Sequence, residues 1–113
     1  MAQIVSYDKN NDILVVHKGF SADETFKRNI DVGDLILDVS TRGRIRGIEI
    51  MHASQFLKEF EIGEEILNSL IEADFNAVNK PNGIVIGFIF KSKDIEQQIP
   101  AKVVVPMEVP SFL

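Results

Sequence analysis

The octet Gly83-Ile84-Val85-Ile86-Gly87-Phe88-Ile89-Phe90 is apolar at every position, and it restricts the fold more than any other segment. Successive side chains of a strand point to opposite faces, so Ile84, Ile86, Phe88 and Phe90 share one face while Val85, Gly87 and Ile89 share the other. Both faces need cover. A short chain can sandwich such a strand between its own elements or complete one face with a second copy of itself. An exposed apolar strip would be an aggregation hazard, so a homodimer is expected, with Ile84, Ile86, Phe88 and Phe90 at its seam.

Three further patterns surround the octet. Ile4-Val5-Ser6-Tyr7 and Ile13-Leu14-Val15-Val16 flank the polar turn Asp8-Lys9-Asn10-Asn11-Asp12. Asn and Asp there can adopt left-handed conformations and bond their own backbone. Leu35-Ile36-Leu37-Asp38-Val39 and Ile45-Arg46-Gly47-Ile48-Glu49-Ile50 flank Ser40 to Arg44, with Gly43 the natural site for a positive φ. Phe75 to Val78 meets Ile84-Val85-Ile86 across Asn79-Lys80-Pro81-Asn82-Gly83, in which Pro81 presets a turn dihedral and Asn82-Gly83 is the strongest short turn signal. Three hairpins follow. Lys102 to Val105 reads as a last strand fenced by Pro100, Pro106 and Pro110, and Thr25 to Ile30 fits a short strand in an otherwise ambiguous connection.

Between Ala53 and Ile71 the period changes. Phe56, Leu57 and Phe60, then Ile66, Leu67, Leu70 and Ile71, follow helical spacing with charged residues between them. Two short helices, or one broken at Gly63, fit equally well, and Ser54 is a candidate cap. Leu70 and Ile71 can equally open the following strand. The expected fold class is α+β: antiparallel β-hairpins or a meander, with a helical stretch at about residues 54–71 packed on the sheet. At 113 residues a single domain is expected, with hairpins over 1–52, the helical segment over 53–71, and a hairpin plus last strand over 72–113. The 15 Ile, 11 Val and 8 Phe, against one Tyr and no Trp, favour strand over helix.

Composition narrows the chemistry. With no Cys there is no disulfide, thiolate nucleophile or sulfur-ligated zinc. The start of the chain has neither the basic nor the apolar region of a signal peptide, and no apolar run approaches the roughly 20 residues that span a bilayer, so a cytoplasmic location is expected. A net charge of −5 makes nucleic acid a poor partner.

Tyr7-Asp8, Asp12-Ile13-Leu14, Asp34-Leu35-Ile36-Leu37-Asp38, Gly43-Arg44-Ile45-Arg46-Gly47-Ile48-Glu49-Ile50 and Ala53-Ser54 together resemble the YuzE-like family of small prokaryotic domains of unknown function. The resemblance runs from Tyr7 to Leu57. It implies a compact β-rich fold and service as the small partner of another protein, of the antitoxin type in some members. No catalytic residue comes with it, and Asp74 to Leu113 is additional to the shortest members.

His17, Asp38, Glu49 and His52 are the acid, base or metal set on offer. Glu49-x-x-His52 has the spacing of a di-iron helix motif, yet it falls on a strand end, where positions i and i+3 point to opposite faces. Alternatively, the Glu49 carboxylate accepts backbone N–H groups at His52-Ala53-Ser54 and fixes the entry to the helix. The Asp8 to Asp12 turn copies the start of a calcium loop, but Ile13 and Gly19 stand where that loop needs its Gly and its bidentate Glu. Arg42, Arg44 and Arg46 alternate along one hairpin, either as an anion-binding strip or as guards of a solvent face. No Gly-rich phosphate cradle or serine nucleophile motif is present. No cofactor or metal is expected. The functional expectation is a non-enzymatic homodimeric interaction module, with self and another small protein as partners; the alternative is an enzyme or small-molecule binder built on the Asp/Glu/His set.

Overall fold

A computed structural model describes residues 4–93 and 96–106. Ten elements follow in order: β1 (Ile4–Asp8), β2 (Ile13–His17), β3 (Phe26–Val32), β4 (Leu35–Ser40), β5 (Ile45–Met51), α1 (Ala53–Lys58), α2 (Glu65–Asn68), β6 (Leu70–Lys80), β7 (Gly83–Ser92) and β8 (Glu96–Pro106). The fold is a β-rich α+β arrangement of antiparallel strands with two short helices. All three expected hairpins are present, and the ambiguous connection contains the full strand β3.

The strands form two sheets, ordered β1-β2-β5-β4-β3 and β6-β7-β8. The first is not a simple meander, because β5 returns to pair with β2 and closes a long loop of sequence. Its register lays apolar residues in straight rows. Val5, Val16, Ile48, Leu37 and Ile30 form one row across all five strands, and Tyr7, Leu14, Ile50, Leu35 and Val32 form the next. These rows face the core, where Leu14, Val16, Leu37, Ile48 and Ile50 are fully buried. Period-two patterning explains the choice of face, since a one-residue slip would turn both rows outward.

The second sheet turns Ala73, Phe75, Ile84, Ile86, Phe88 and Phe90 into the same buried cluster, together with Ala53, Leu57, Ile62, Ile66 and Leu67 from the helical region. Phe56 meets the ring of Phe88 edge-on at 5.6 Å, and Phe88 stacks on Phe90 at 5.8 Å, so helix and sheet are locked through aromatic contacts. Ile84, Ile86, Phe88 and Phe90 are each at most 1% exposed. The octet's strong face is therefore covered from within the chain, and the expected dimer seam on that face is corrected. The opposite face is the open one, with Ile89 40% exposed.

Bulges adjust the strands. Lys27 is an extra residue in β3, Arg46 in β5 and Ile71 in β6, each set between shifted pairs. In β8, Pro100 does not fence the strand but lies within it, where the register against β7 shifts. An edge strand tolerates a proline at such an irregularity because the missing N–H interrupts no central ladder. Pro110 lies outside the described residues, as do Met1 to Gln3.

The helical stretch is broken two residues before Gly63. Ile62 N–H bonds to the Leu57 carbonyl at 3.0 Å and Glu61 N–H to the Lys58 carbonyl at 3.0 Å, with Glu61 left-handed at φ 61°. That is a Schellman ending, with the usual apolar contact between Leu57 and Ile62, both buried. The cap at the other end is also not the expected one. Ser54 does not cap α1; it is itself capped. Asp12, left-handed at φ 55°, accepts the Ala53 N–H on its carbonyl at 2.9 Å, and on its carboxylate the Ser54 N–H at 3.0 Å and the Ser54 hydroxyl at 2.7 Å. The Tyr7 hydroxyl donates to the same carboxylate at 2.6 Å.

Burial works to raise the Asp12 carboxyl, but the Tyr7 and Ser54 bonds overcome it and hold it below the ordinary range. Burial, followed by the bond to Asp12, pushes the Tyr7 phenol up to about 12. Replacing Asp12 by Ala removes a charge-assisted cap spanning 42 residues of sequence, and should cost about 2 kcal/mol in urea unfolding, with Asp12→Asn losing less.

Candidate functional site

The rows of the first sheet that face away from the core hold the expected acid and base residues. One runs Ile4, His17, Gly47, Asp38, Asn29; the next runs Ser6, Val15, Glu49, Ile36, Asp31. Asp8, Ile13 and Met51 continue the face beyond them. His17 and Asp38 lie either side of Gly47, and their Nε2 and Oδ2 atoms are 3.7 Å apart. Gly19 N–H donates to His17 Nδ1 at 2.7 Å, so the ring's hydrogen belongs on Nε2, facing Asp38. Phe20 closes against the imidazole edge-on at 5.0 Å. Burial pushes the Asp38 carboxyl up, opposed by the nearby His17.

Gly47 makes this pair possible. A Cβ there would collide with the His17 ring carbon Cδ2 and lie 2.8 Å from Asp38 Oδ2. The missing side chain lets a histidine and a carboxylate on the two flanking strands lean together over a bare backbone. Gly47→Ala should therefore destabilise the protein by about 1–3 kcal/mol, and Asp38→Ala in the same chain should recover part of that loss in thermal unfolding.

The remaining two expected residues do not join the pair. Glu49 is half-buried one row along, between Val15 and Ile36, with no hydrogen-bond or ion-pair partner among the described residues. The helix-entry role considered for it belongs to Asp12. His52 stands past the end of β5 in a left-handed turn at φ 52°, exposed, with its Nδ1 3.2 Å from Asp34 Oδ1. None of the cavities described among these residues is lined by the set, which lies on the sheet face turned away from the core. No group of His, Cys, Asp and Glu able to hold a metal ion occurs among the described residues. In the proposed calcium-like turn, Asp8 is engaged by the Asn10 and Asn11 N–H groups and by the Asn11 side chain, which holds its carboxyl below the ordinary range.

The arginine strip faces the chain's own carboxylates. Arg42 and Arg44 approach Asp23 at 3.8 and 3.3 Å, and Arg46 donates to the Gly19 carbonyl at 2.7 Å while lying 3.3 Å from Glu24. The bulge at Arg46 breaks the alternation expected along the hairpin. At the centre is Glu24, a buried acid that sequence reasoning passed over. Its carboxylate accepts the Ser21 N–H at 2.9 Å and the Ser40 hydroxyl at 2.7 Å, with Arg44 at 3.8 Å. The signal was present as Ser21-x-x-Glu24: the Glu24 carboxylate reaches back to the Ser21 N–H while the Glu24 N–H bonds the Ser21 carbonyl, which closes a turn.

The Ser21 and Ser40 bonds, against the opposing effect of burial, bring the Glu24 carboxyl from an ordinary 4.5 down to about 2. A depressed folded-state value stabilises the protein above the unfolded value and is lost as pH falls through the folded one. Acid titration of stability should thus show a Glu24-dependent loss between about pH 4.5 and 2, and Glu24→Gln should flatten that part of the curve.

Comparison with known proteins places residues 4–54 in a match to a family described as a protein of unknown function, DUF2283. The stretch resembling the YuzE-like family overlaps this match almost entirely. An uncharacterised protein of Methanocaldococcus jannaschii is 35% identical over 77 residues, covering 67% of this chain and 60% of that protein. The chain thus spans under two thirds of that relative's length. No solved structure matches. The match contains the first sheet, the Asp12 cap and the His17–Gly47–Asp38 row.

Proposed function

We propose that the chain is a non-enzymatic binding module, working as a homodimer, that engages another small protein through the outward face of the first sheet, in the manner of an antitoxin-type partner. The observation that carries this reading is the shape of that face. Acid and base groups are spread along strand-pairing rows and line none of the described cavities, and apolar Ile13, Val15, Ile36 and Met51 lie among them, all half-buried. Small-molecule chemistry favours clefts with convergent polar groups, whereas macromolecular recognition uses flat patches with an apolar centre and polar rim.

Charge adds a direction. Asp8, Asp31, Asp38 and Glu49 belong to the rows of this face, so a basic partner fits and a nucleic acid does not. Glu49, without a hydrogen-bond or ion-pair partner among the described residues, is the group best placed to meet a cation from outside. The enzymatic alternative would need Asp38, Glu49 and either His17 or His52 to converge in one pocket; His17 and Asp38 meet, but Glu49 lies one row along and none of the described cavities is lined by the set. Homodimerisation has support in Phe26, Ile71, Val78 and Ile89, which are 50, 66, 42 and 40% exposed in the single chain.

Affinity capture from native extract, compared between the wild-type chain and Val15→Glu with Ile36→Lys, tests the binding face. A protein retained by the wild type, released by salt, and lost with a folded double variant is expected. Retention of the same proteins by both would remove this face from the proposal.

A further inference from the structure

We infer that two copies of the chain join edge to edge through β3, antiparallel and centred on Asn29, so that two five-stranded sheets become one sheet of ten. The inference rests on the homodimeric part of the proposed function and assigns its seam. β3 is a terminal strand of the first sheet, and Phe26 to Asn29 and Asp31 are exposed. Its main chain faces outward at alternate residues, as any edge strand does, and is a ready template for another strand.

The turn fixes which residues those are. Val32 pairs with Leu35 across the two-residue connection Gly33-Asp34, with Gly33 left-handed at φ 59°. A two-residue hairpin closes on a hydrogen-bonded pair, so Val32, and then Ile30 by alternation, direct their N–H and C=O groups at β4. Asn29 and Asp31 direct theirs outward. In an antiparallel pairing, outward residues must meet outward residues. A two-fold axis through the seam therefore passes beside Arg28, Asn29 or Ile30, and intermediate registers are excluded.

Charge selects among the three. An axis at Arg28 sets Arg28 against its own copy, and directly opposed like charges destabilise a sheet. An axis at Ile30 sets Asn29 against Asp31 and leaves Lys27 opposite Gly33, with no opposite-charge pair. An axis at Asn29 sets Lys27 against Asp31 of the other copy twice over and Arg28 against Ile30, while Phe26 lies beyond the bulge, outside the regular ladder. The segment Phe26-Lys27-Arg28-Asn29-Ile30-Asp31-Val32 is self-complementary in charge about its midpoint only in this register.

The bulge fits the same reading. An extra lysine in a bulge, here Lys27, is a common guard against foreign strands at an edge. Such a guard repels an arbitrary strand, but in this register it meets a carboxylate supplied by its own sequence. The edge is closed to others and open to itself. The pairing also leaves the outward rows of both copies on one continuous surface, doubling the acidic and apolar face proposed to bind the partner.

Charge exchange tests the seam. Sedimentation equilibrium is measured on the wild type, on Lys27→Asp, on Asp31→Lys, on the two single variants mixed, and on the double variant, with circular dichroism confirming that each is folded. The wild type is expected to dimerise, each single variant to bind itself about tenfold or more weakly because two attractive pairs become repulsive, and both the mixture and the double variant to regain dimerisation. A dimeric wild type whose single variants dimerise equally well overturns the β3 seam and leaves the homodimer reading standing. A wild type that stays monomeric at the highest soluble concentration overturns both.

Discussion

The carboxylate of Asp12 is the joint on which the described part of the chain turns. It sits at the end of the first hairpin turn and takes hydrogen bonds from Tyr7, the fourth of five residues in β1, and from Ser54, at the start of α1. Two non-glycine residues, Asp12 and His52, hold left-handed backbone at this junction. Such conformations cost roughly 1–2 kcal/mol each, although Asp tolerates them better than most residues because its short side chain bonds locally. The cost is offset by pinning β1, β2 and the exit of β5 to one point. That point decides where α1 begins, and α1 carries Leu57 and Phe56 onto the second sheet. A helix of 6 residues has little stability of its own, so its position depends on this cap and on the core beneath it.

From that joint the two faces of the first sheet take different roles. The inner rows are spent on packing, continuous with the second sheet and the helices in one cluster. The outer rows carry chemistry that packing does not use: the His17–Asp38 pair leaning over Gly47, and Glu49 beside it without a partner among the described residues. Glycine appears at that crossing because anything larger would occupy the space the pair needs. The cations work in the opposite sense. Arg42, Arg44 and Arg46 fold back on Asp23 and Glu24, which leaves the first sheet's open face acidic.

Hairpins, their turns and the α+β class were legible because they depend on local terms: period-two patterning, Asn, Gly and Pro in turns, and short apolar runs of strand length. The break in the helical stretch was legible as an event but not as a place, since Gly63 was the obvious breaker while the Schellman ending formed at Glu61, where burial of Ile62 against Leu57 outweighs the cost of a left-handed glutamate. The turn closed by Ser21 and Glu24 is local, but the burial of its carboxylate depends on Ser40 and the arginines of the second hairpin, which no local pattern states. Asp12 was seen as an incomplete calcium loop, and its true partner, Ser54, lies 42 positions away.

The sequence by itself determined that Gly83 to Phe90 carries an apolar row on each face and asks for cover, because side chains alternate along a strand, although the Val85, Gly87 and Ile89 face stays partly open. Which cover it received was decided only in three dimensions. Ile84, Ile86, Phe88 and Phe90 found theirs in α1, α2 and the neighbouring strands of the same chain, since the return of β5 to β2 and the Asp12 cap bring those elements to them. Likewise, His17, Asp38 and Glu49 were identifiable as residues with chemical potential, but their distribution over adjacent rows of one sheet face follows from the pairing order β2-β5-β4. Strand order is a long-range property set by which apolar rows fit together, and no local run of sequence states it.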